Sequence, residues 1–363
     1  DYHGKRENMP LNVALKAVDM LIAKSGAVKN LEMDFFGGEP LMNFDVLRQT
    51  VSYAKEQAQK AGKIFKFTCT TNGLLLDREK SDFLNEEMDN VVLSLDGRRE
   101  VNDFARPCPN GKGSFDLIVD NFRYFRSIRG NKSYFLRGTF THFNTDFAKD
   151  VLFMRELGFE QLSVEPAVLP RGSEMEIKDS DLPEIFGQYE ELAKQYVKLR
   201  KKPETWFSFF HFNIDLENGP CLKKRLKGCG AGCEYLAVVP DGGVYPCHQF
   251  VGDPKYLMGD IWKGVTNTAV RDEFKHCNAY ARKECQDCWA KLYCSGGCAA
   301  NSYHATGNIT GVYEYGCELF RKRMECAIMI KVAENQELAA KGIEVPIELG
   351  STCNACADGE ACE

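Results

Sequence analysis

Apolar positions in the first half of the chain recur with two periods in turn. In PLNVALKAVDMLIAK (10–24), Leu11, Ala14, Leu15, Val18, Leu21 and Ile22 form one stripe at helical spacing, with Pro10 suited to a first turn and Gly26 to a stop. LEMDFF (31–36) is a short apolar run that breaks at Gly37-Gly38-Glu39-Pro40, as a buried strand feeding a loop would. The alternation continues with a helix from about Asn43 (Leu47, Val51, Ala54, Ala58), a strand FKFTCTTNG (65–73), and a helix after Asp77. A strand VVLSLDG (91–97), a helix near 114–128, a strand FLRGTFTHF (135–143), a helix near 146–157 and a strand QLSVEPAV (161–168) complete the series. Five strands separated by helices of ten to fifteen residues imply βαβ crossovers and a parallel sheet, an α/β protein.

In such sheets ligands bind at the carboxyl ends of strands, where loops converge on a rigid base. GGEP, TTNG, SLDG, the Arg137 strand and Val164-Glu165-Pro166 are therefore expected to face one cavity. Each alone is also what a tight turn requires, and Ser94-Leu95-Asp96-Gly97 could cap the next helix. Gly37-Gly38 would let backbone approach a ligand closely, and Glu39, held by Pro40, would present a carboxylate to a cationic group. Further on, Ile185, Tyr189, Leu192, Tyr196 and Leu199 make a helical stripe, and WFSFFHF (206–212) reads as core packing in preference to a peptide-binding surface.

Composition sharpens this. A chain of 363 residues, 44% hydrophobic, can bury one large core and a smaller one. With 46 basic and 52 acidic residues, net -6, it has no dedicated nucleic-acid surface. No apolar run approaches the ~20 residues of a membrane span, and a cytoplasmic location is expected.

The sixteen cysteines are the anomaly: only Cys69 and Cys108 precede Cys221, and ten fall between Cys229 and Cys326. A disulfide scaffold spreads its bridges through a chain lacking a core, whereas these thiols are confined to one region of a chain with ample apolar patterning. Disulfides, structural zinc and iron–sulfur clusters are the three readings, the last preferred. The spacing is Cys229, twelve residues, Gly242, four residues, Cys247; then Cys285-x2-Cys288-x5-Cys294-x3-Cys298; then Cys317. Seven thiolates suit two clusters better than closed four-thiolate zinc sites. Cys277 and Cys326 read as buried structural thiols, and Cys353, Cys356 and Cys362 as part of a frayed tail. His248, beside Cys247, is either a proton carrier or an outer hydrogen-bond donor to a cluster sulfur.

GGEP, TTNG, SLDG and the seven spaced cysteines, in this order, resemble the radical S-adenosylmethionine (SAM) enzymes that carry a C-terminal SPASM extension. The resemblance runs from residue 10 to about 330 and implies a partial (β/α)6 barrel over 1–200, its first strand missing here. A bridging segment at 201–228, a SPASM domain at 229–330 and a tail at 331–363 follow. It further implies that Gly37, Gly38, Glu39 and Pro40 hold the amino group of S-adenosylmethionine, Ser94 and Arg137 its ribose and carboxylate, and Glu165 its adenine. Asn72 and Asp96, at the TTNG and SLDG strand ends, complete the candidate cofactor set. Cys229, Cys247 and Cys298 would hold one auxiliary [4Fe–4S] cluster, with Cys221, Cys233 or a substrate thiolate as fourth ligand; Cys285, Cys288, Cys294 and Cys317 would hold a second. The family's C-x3-C-x2-C motif, which holds the radical-generating [4Fe–4S] cluster, is absent, and is expected just upstream of a segment like DYHGKRENMP.

RLKGCGAGCEYLAVVPDGGVYPCHQFVGD and DYHGKRE resemble maturases of cysteine-rich peptides, the SCIFF or ranthipeptide group, which form thioethers. That likeness implies a cysteine-rich precursor peptide as substrate, reduced flavodoxin or ferredoxin as electron donor, and His248 as a catalytic residue. Anaerobic sulfatase maturases, which form formylglycine, are the alternative, but they place an Asp where His248 stands. A non-catalytic zinc or iron–sulfur module, or a redox relay, also accounts for the thiols.

Overall fold

A computed structural model describes residues 6–169, 172–216 and 222–343. In chain order its regular elements begin α1 (Leu11–Lys24), β1 (Asn30–Phe35), α2 (Phe44–Ala61), β2 (Ile64–Thr71), α3 (Arg78–Glu87), β3 (Asn90–Ser94), α4 (Arg99–Ala105), α5 (Phe115–Arg129) and β4 (Ser133–Phe140). There follow α6 (Phe147–Glu156), β5 (Gln161–Pro166), α7 (Leu182–Leu199), β6 (Ser208–Phe209) and α8 (Leu222–Lys227). The remainder comprises the short strands β7 (Ala237–Val238), β8 (Gly243–Tyr245), β9 (Gly259–Asp260) and β10 (Gly264–Val265), then α9 (Thr268–His276), α10 (Lys291–Cys294), α11 (Ala299–Thr306) and α12 (Glu314–Ala340).

Two compact units divide these residues. The first takes the described residues up to Gly138, Glu156–Phe159 and Ala231–Phe274. In it β1, β2, β3 and β4 lie side by side, all parallel, with Asp34 opposite Thr68, Thr70 opposite Val92, and Ser94 opposite Arg137. Local chemistry sets the element ends: Asp77 caps α3 by accepting the Lys80 N–H, and Gly62 ends α2 in the left-handed region at φ 65°. One sheet face is core, with Leu31, Phe67, Cys69, Val91, Leu93, Tyr134 and Leu136 buried alongside the apolar faces of α1, α2, α3 and α5.

The other face carries Asp34, Thr68, Thr70, Ser94, Phe135 and Arg137, none of them fully buried. Parallel sheets are ordinarily covered on both faces, so a polar, accessible face marks where something other than core binds. The same unit contains a small antiparallel sheet in the order β7-β8-β9-β10, braced by Phe250, Tyr256 and Phe274, with Phe250 and Tyr256 ring centroids 4.4 Å apart. These strands of two or three residues carry too little pattern to be read from sequence.

The second unit takes Thr139–Arg155, Glu160–Gly230 and the described residues from Lys275 onward. Here β5 pairs with β6 in parallel, Gln161 opposite Ser208 and Leu162 opposite Phe209, so the aromatic run contributes a further short strand. Helix α7 packs on α12, and Ile185, Tyr189, Leu192 and Tyr196 are buried with Phe207, Phe209 and Phe212. Tyr196 meets Phe207 edge-on at 5.1 Å and Phe209 meets Phe212 at 4.9 Å. WFSFFHF is therefore mainly core, as its spacing suggested. No described helix is long and apolar enough to cross a membrane.

Candidate functional site

Three donors fix the Glu39 carboxylate at the β1 strand end. Oε1 accepts the Leu41 N–H at 3.0 Å and the Thr71 hydroxyl at 2.9 Å, and Oε2 accepts the Asn72 N–H at 2.7 Å. Glu39 thus ties the loop after β1 to the end of β2. A carboxylate offers about four lone-pair sites, so Oε2 keeps one to spare. Gly37 has φ 137°, a conformation closed to other residues, and a Cβ at Gly37 or Gly38 would meet nothing within 4 Å. Asn72 turns inward on its own loop, its Oδ1 accepting from Leu74 N–H at 3.0 Å.

Of the remaining candidates in the first unit, Ser94 and Arg137 are register neighbours on the accessible face. Asp96 is 1% exposed and held in a two-pronged pair by Arg106, at 2.7 and 3.0 Å. Its carboxylate thus stabilises the turn after β3. Gly138 permits that turn to come close, since a Cβ there would lie 2.6 Å from the Leu95 carbonyl oxygen.

The motif histidine is also part of this unit. The His248 ring lies 4.7 Å from that of Phe36, the residue before Gly37, and its Nδ1 is 3.4 Å from the Tyr235 hydroxyl. Burial, and then the charge of Arg137, lower its pKa below the usual histidine value and favour the neutral ring. His248 thus stands beside the GGEP loop and Arg137, a proximity that sequence spacing does not reveal. Cys247 is buried in the same unit.

In the second unit, Glu165 lies half-buried at the end of β5. Near it in sequence is a network that sequence reasoning missed: Arg323 donates to His211 Nδ1 at 2.8 Å, and the other ring nitrogen meets Ser163 Oγ at 3.2 Å. Accepting from Arg323 makes Nε2 the protonated nitrogen, so His211 donates to Ser163. No signal marks this in the sequence, because its members are 48 and 112 residues apart.

Cys285, Cys288, Cys294 and Cys317 come together in this unit. Burial raises the Cys317 thiol to about 12, and the charges of Cys294, Cys285 and Cys288 push the same way. Burial likewise raises Cys294, with Cys285 and Cys288 adding to it. Arg321 hydrogen-bonds Cys288. Cys298, the residue before α11, is exposed at the surface, yet crowding by neighbouring atoms raises its thiol and the Asn301 and Ala300 N–H groups oppose the rise; Cys229 is near enough to act on it. Among the described cysteines none is disulfide-bonded, and among the described residues no three His, Cys, Asp or Glu side chains close on one point as ligands of a single ion would. Cys233 has its thiol 3.8 Å from the Arg271 carbonyl oxygen. Cys277 and Cys326 are buried. Cys221 and the three tail cysteines lie outside the described residues.

Residues 1–150 match the Radical SAM superfamily model. A cysteine-type anaerobic sulfatase-maturating enzyme of Clostridium novyi (strain NT) is 27% identical over 321 residues, 82% of this chain and 81% of that one. The radical SAM cyclopropyl synthase TigE of Paramaledivibacter caminithermalis is 23% identical over 329 residues, covering 88% of this chain and 65% of TigE. The structure of native anSMEcpe with bound AdoMet and Cp18Cys peptide matches with a TM-score of 0.73 at 20% identity, over 92% of this chain and 93% of that one, a likeness of fold. Over residues 1–150 the chain is thus similar to radical SAM proteins, and its fold is a parallel-sheet α/β one.

Proposed function

We propose that the protein is a radical S-adenosylmethionine peptide maturase that joins a cysteine sulfur to a carbon of another residue in a cysteine-rich peptide. The observation that carries this reading is the polar, accessible face of the parallel sheet, which leads to a loop built around Glu39. The open space at Gly37 and Gly38 admits close backbone approach, and the spare acceptor on Glu39 Oε2 suits an ammonium group. Arg137 supplies a cation for a carboxylate and Ser94 a hydroxyl for a ribose. Asp96, engaged by Arg106, acts by holding the strand-end turn. Glu165 keeps its assignment to the adenine.

The closure of these strands into a partial (β/α)6 barrel and the reading of 229–330 as a SPASM domain belong to the same proposal. Cys285, Cys288, Cys294 and Cys317, an all-thiol set of one unit whose members are near enough to act on one another's charge, are assigned to one iron–sulfur cluster. Cys229, Cys247 and Cys298 are assigned to a second, and the radical-generating cluster is assigned to no residue of this chain. When bound, S-adenosylmethionine supplies a hydrogen-abstracting 5′-deoxyadenosyl radical, and the clusters supply electron transfer and thiolate binding. The chain's own part is to orient carbon and sulfur and exclude water. Neutral His248 beside the GGEP loop is placed to accept a proton from the peptide.

Sulfatase maturation is the second reading, favoured by the extent of the match to the Clostridium enzyme. Anaerobic reconstitution with iron and sulfide of a form of the protein that carries a C-x3-C-x2-C segment, then turnover with S-adenosylmethionine, dithionite and a cysteine-rich peptide, separates the two by mass spectrometry. A thioether product loses two hydrogens and keeps its sulfur, whereas formylglycine loses the sulfur. A colourless protein that holds only zinc would defeat both.

A further inference from the structure

The Ser163–His211–Arg323 chain leaves one hydrogen without a destination. Arg323 is a donor in every protonation state, so His211 Nδ1, 2.8 Å away, is the bare nitrogen of the ring and Nε2 carries the proton. Nε2 lies 3.2 Å from Ser163 Oγ and donates to it. The Ser163 hydroxyl is therefore an acceptor toward His211, and its own hydrogen meets no acceptor among the described residues. Ser163 is 5% exposed and His211 8% exposed. A hydroxyl buried to that degree ordinarily has a partner for its hydrogen.

The histidine at the middle of this chain is held in place. Phe209 and Phe210 meet its ring edge-on, at centroid distances of 5.3 and 5.4 Å, and Arg323 Nε donates to the Leu319 carbonyl of its own helix at 3.4 Å. Glu165 stands two residues beyond Ser163 on the same face of β5, about 6.6 Å along the strand. Its carboxylate is an acceptor, whereas the Ser163 hydroxyl has a hydrogen to give. That pair complements the edge of adenine, which sets the N1 acceptor beside the 6-amino donor. In hypoxanthine both are inverted, with a hydrogen on N1 and a carbonyl in place of the amine. We propose that Ser163 and Glu165 read this purine edge, and that Arg323, acting through His211, is a positioning residue that keeps Ser163 a donor. The inference rests on the assignment of Glu165 to the adenine.

The test titrates the reconstituted form that carries a C-x3-C-x2-C segment with S-adenosylhomocysteine and S-inosylhomocysteine by calorimetry, and follows thermal unfolding of each variant alongside. The ratio of the two affinities is the readout, because a loss of stability alone does not move it. The parent should favour the adenosyl compound roughly 5–100-fold. Ser163→Ala and Arg323→Met should each cut that preference at least about threefold. His211→Gln, which can accept from Arg323 and donate to Ser163, should keep more of it than His211→Phe. A parent without preference, or a preference untouched in Ser163→Ala, overturns the inference. A preference lost in Ser163→Ala but kept in Arg323→Met and His211→Phe overturns the positioning role. A parent that binds neither compound overturns the cofactor assignment itself, a result distinguishable from the others.

Discussion

Glu39 and Cys294 sit in scaffolds of different construction. Around Glu39 the strand ends are set by a sheet with long registered pairs and a continuous apolar layer, and the loop adds three hydrogen bonds of 2.7–3.0 Å. Around Cys294 the backbone is a succession of single turns: short 3-10 segments at Ala279–Ala281 and Lys283–Cys285, the four residues of α10, then Ser295, Gly296 and Gly297 all at positive φ. Few large apolar side chains are buried between residues 275 and 311. The first scaffold owes its shape to apolar burial, and the second is arranged around its sulfurs. A region of that second kind is expected to draw its stability from what the sulfurs bind.

Removing that contribution is the strongest way to break the contrast. Chelation of reconstituted protein, or Cys294→Ser, should cost residues 275–340 on the order of several kcal/mol and expose them to proteolysis, while hydrogen exchange in β1–β4 stays slow. Equal loss in both regions would refute the distinction. Next comes Arg106→Ala, which removes the two-pronged partner of the buried Asp96 carboxylate; denaturant unfolding should show a loss of about 3–5 kcal/mol. Gly73→Ala should cost about 1–3 kcal/mol, because φ is 80° and the new Cβ would lie 2.2 Å from a Phe122 ring carbon.

Glu39→Gln sharpens the comparison by separating ligand from scaffold. Stability should fall by only about 1 kcal/mol, while calorimetric titration with S-adenosylmethionine should show at least a roughly tenfold weaker complex. Undiminished affinity would remove the cofactor from this loop. The smallest effect is expected at Asp181. Burial pulls its carboxyl up, but the Lys178 N–H and His142 together hold it below its usual 3.8. A lowered carboxyl stabilises the fold above its unfolded pKa and loses that contribution as pH falls through the folded value. Asp181→Asn should therefore be less stable than the parent at neutral pH by under ~1 kcal/mol, the difference closing below about pH 4.

Much of the α/β half is legible from periodicity because helix and strand there each bury one face: the stripe of 10–24 becomes α1 and LEMDFF lies within a residue of β1. Elements that bury little per residue escape that reading. β6 is two residues inside an aromatic run, β7–β10 are shorter than any reliable alternation, and α12 has apolar residues on several sides, with Met324 and Ile330 buried and Ile328 and Val332 exposed. For the candidate site, motif spacing singled out the GGEP loop and the four-cysteine group, because those residues are close in sequence or repeat a known order. The Glu39–Thr71 bond, the approach of His248 to Phe36 and the Ser163–His211–Arg323 chain depend on pairings across 32 to more than 200 residues, for which spacing is silent.

One cysteine has a use apart from any metal. Cys69 lies wholly inside the β2 core face, where burial and the neighbouring Glu39 charge push its thiol far above the reactive range. An alkylating reagent meets Cys229 and Cys233 at the surface but can modify Cys69 only when β2 leaves its sheet. Its labelling rate is therefore a clock for complete opening of the parallel sheet, native to the chain and independent of iron.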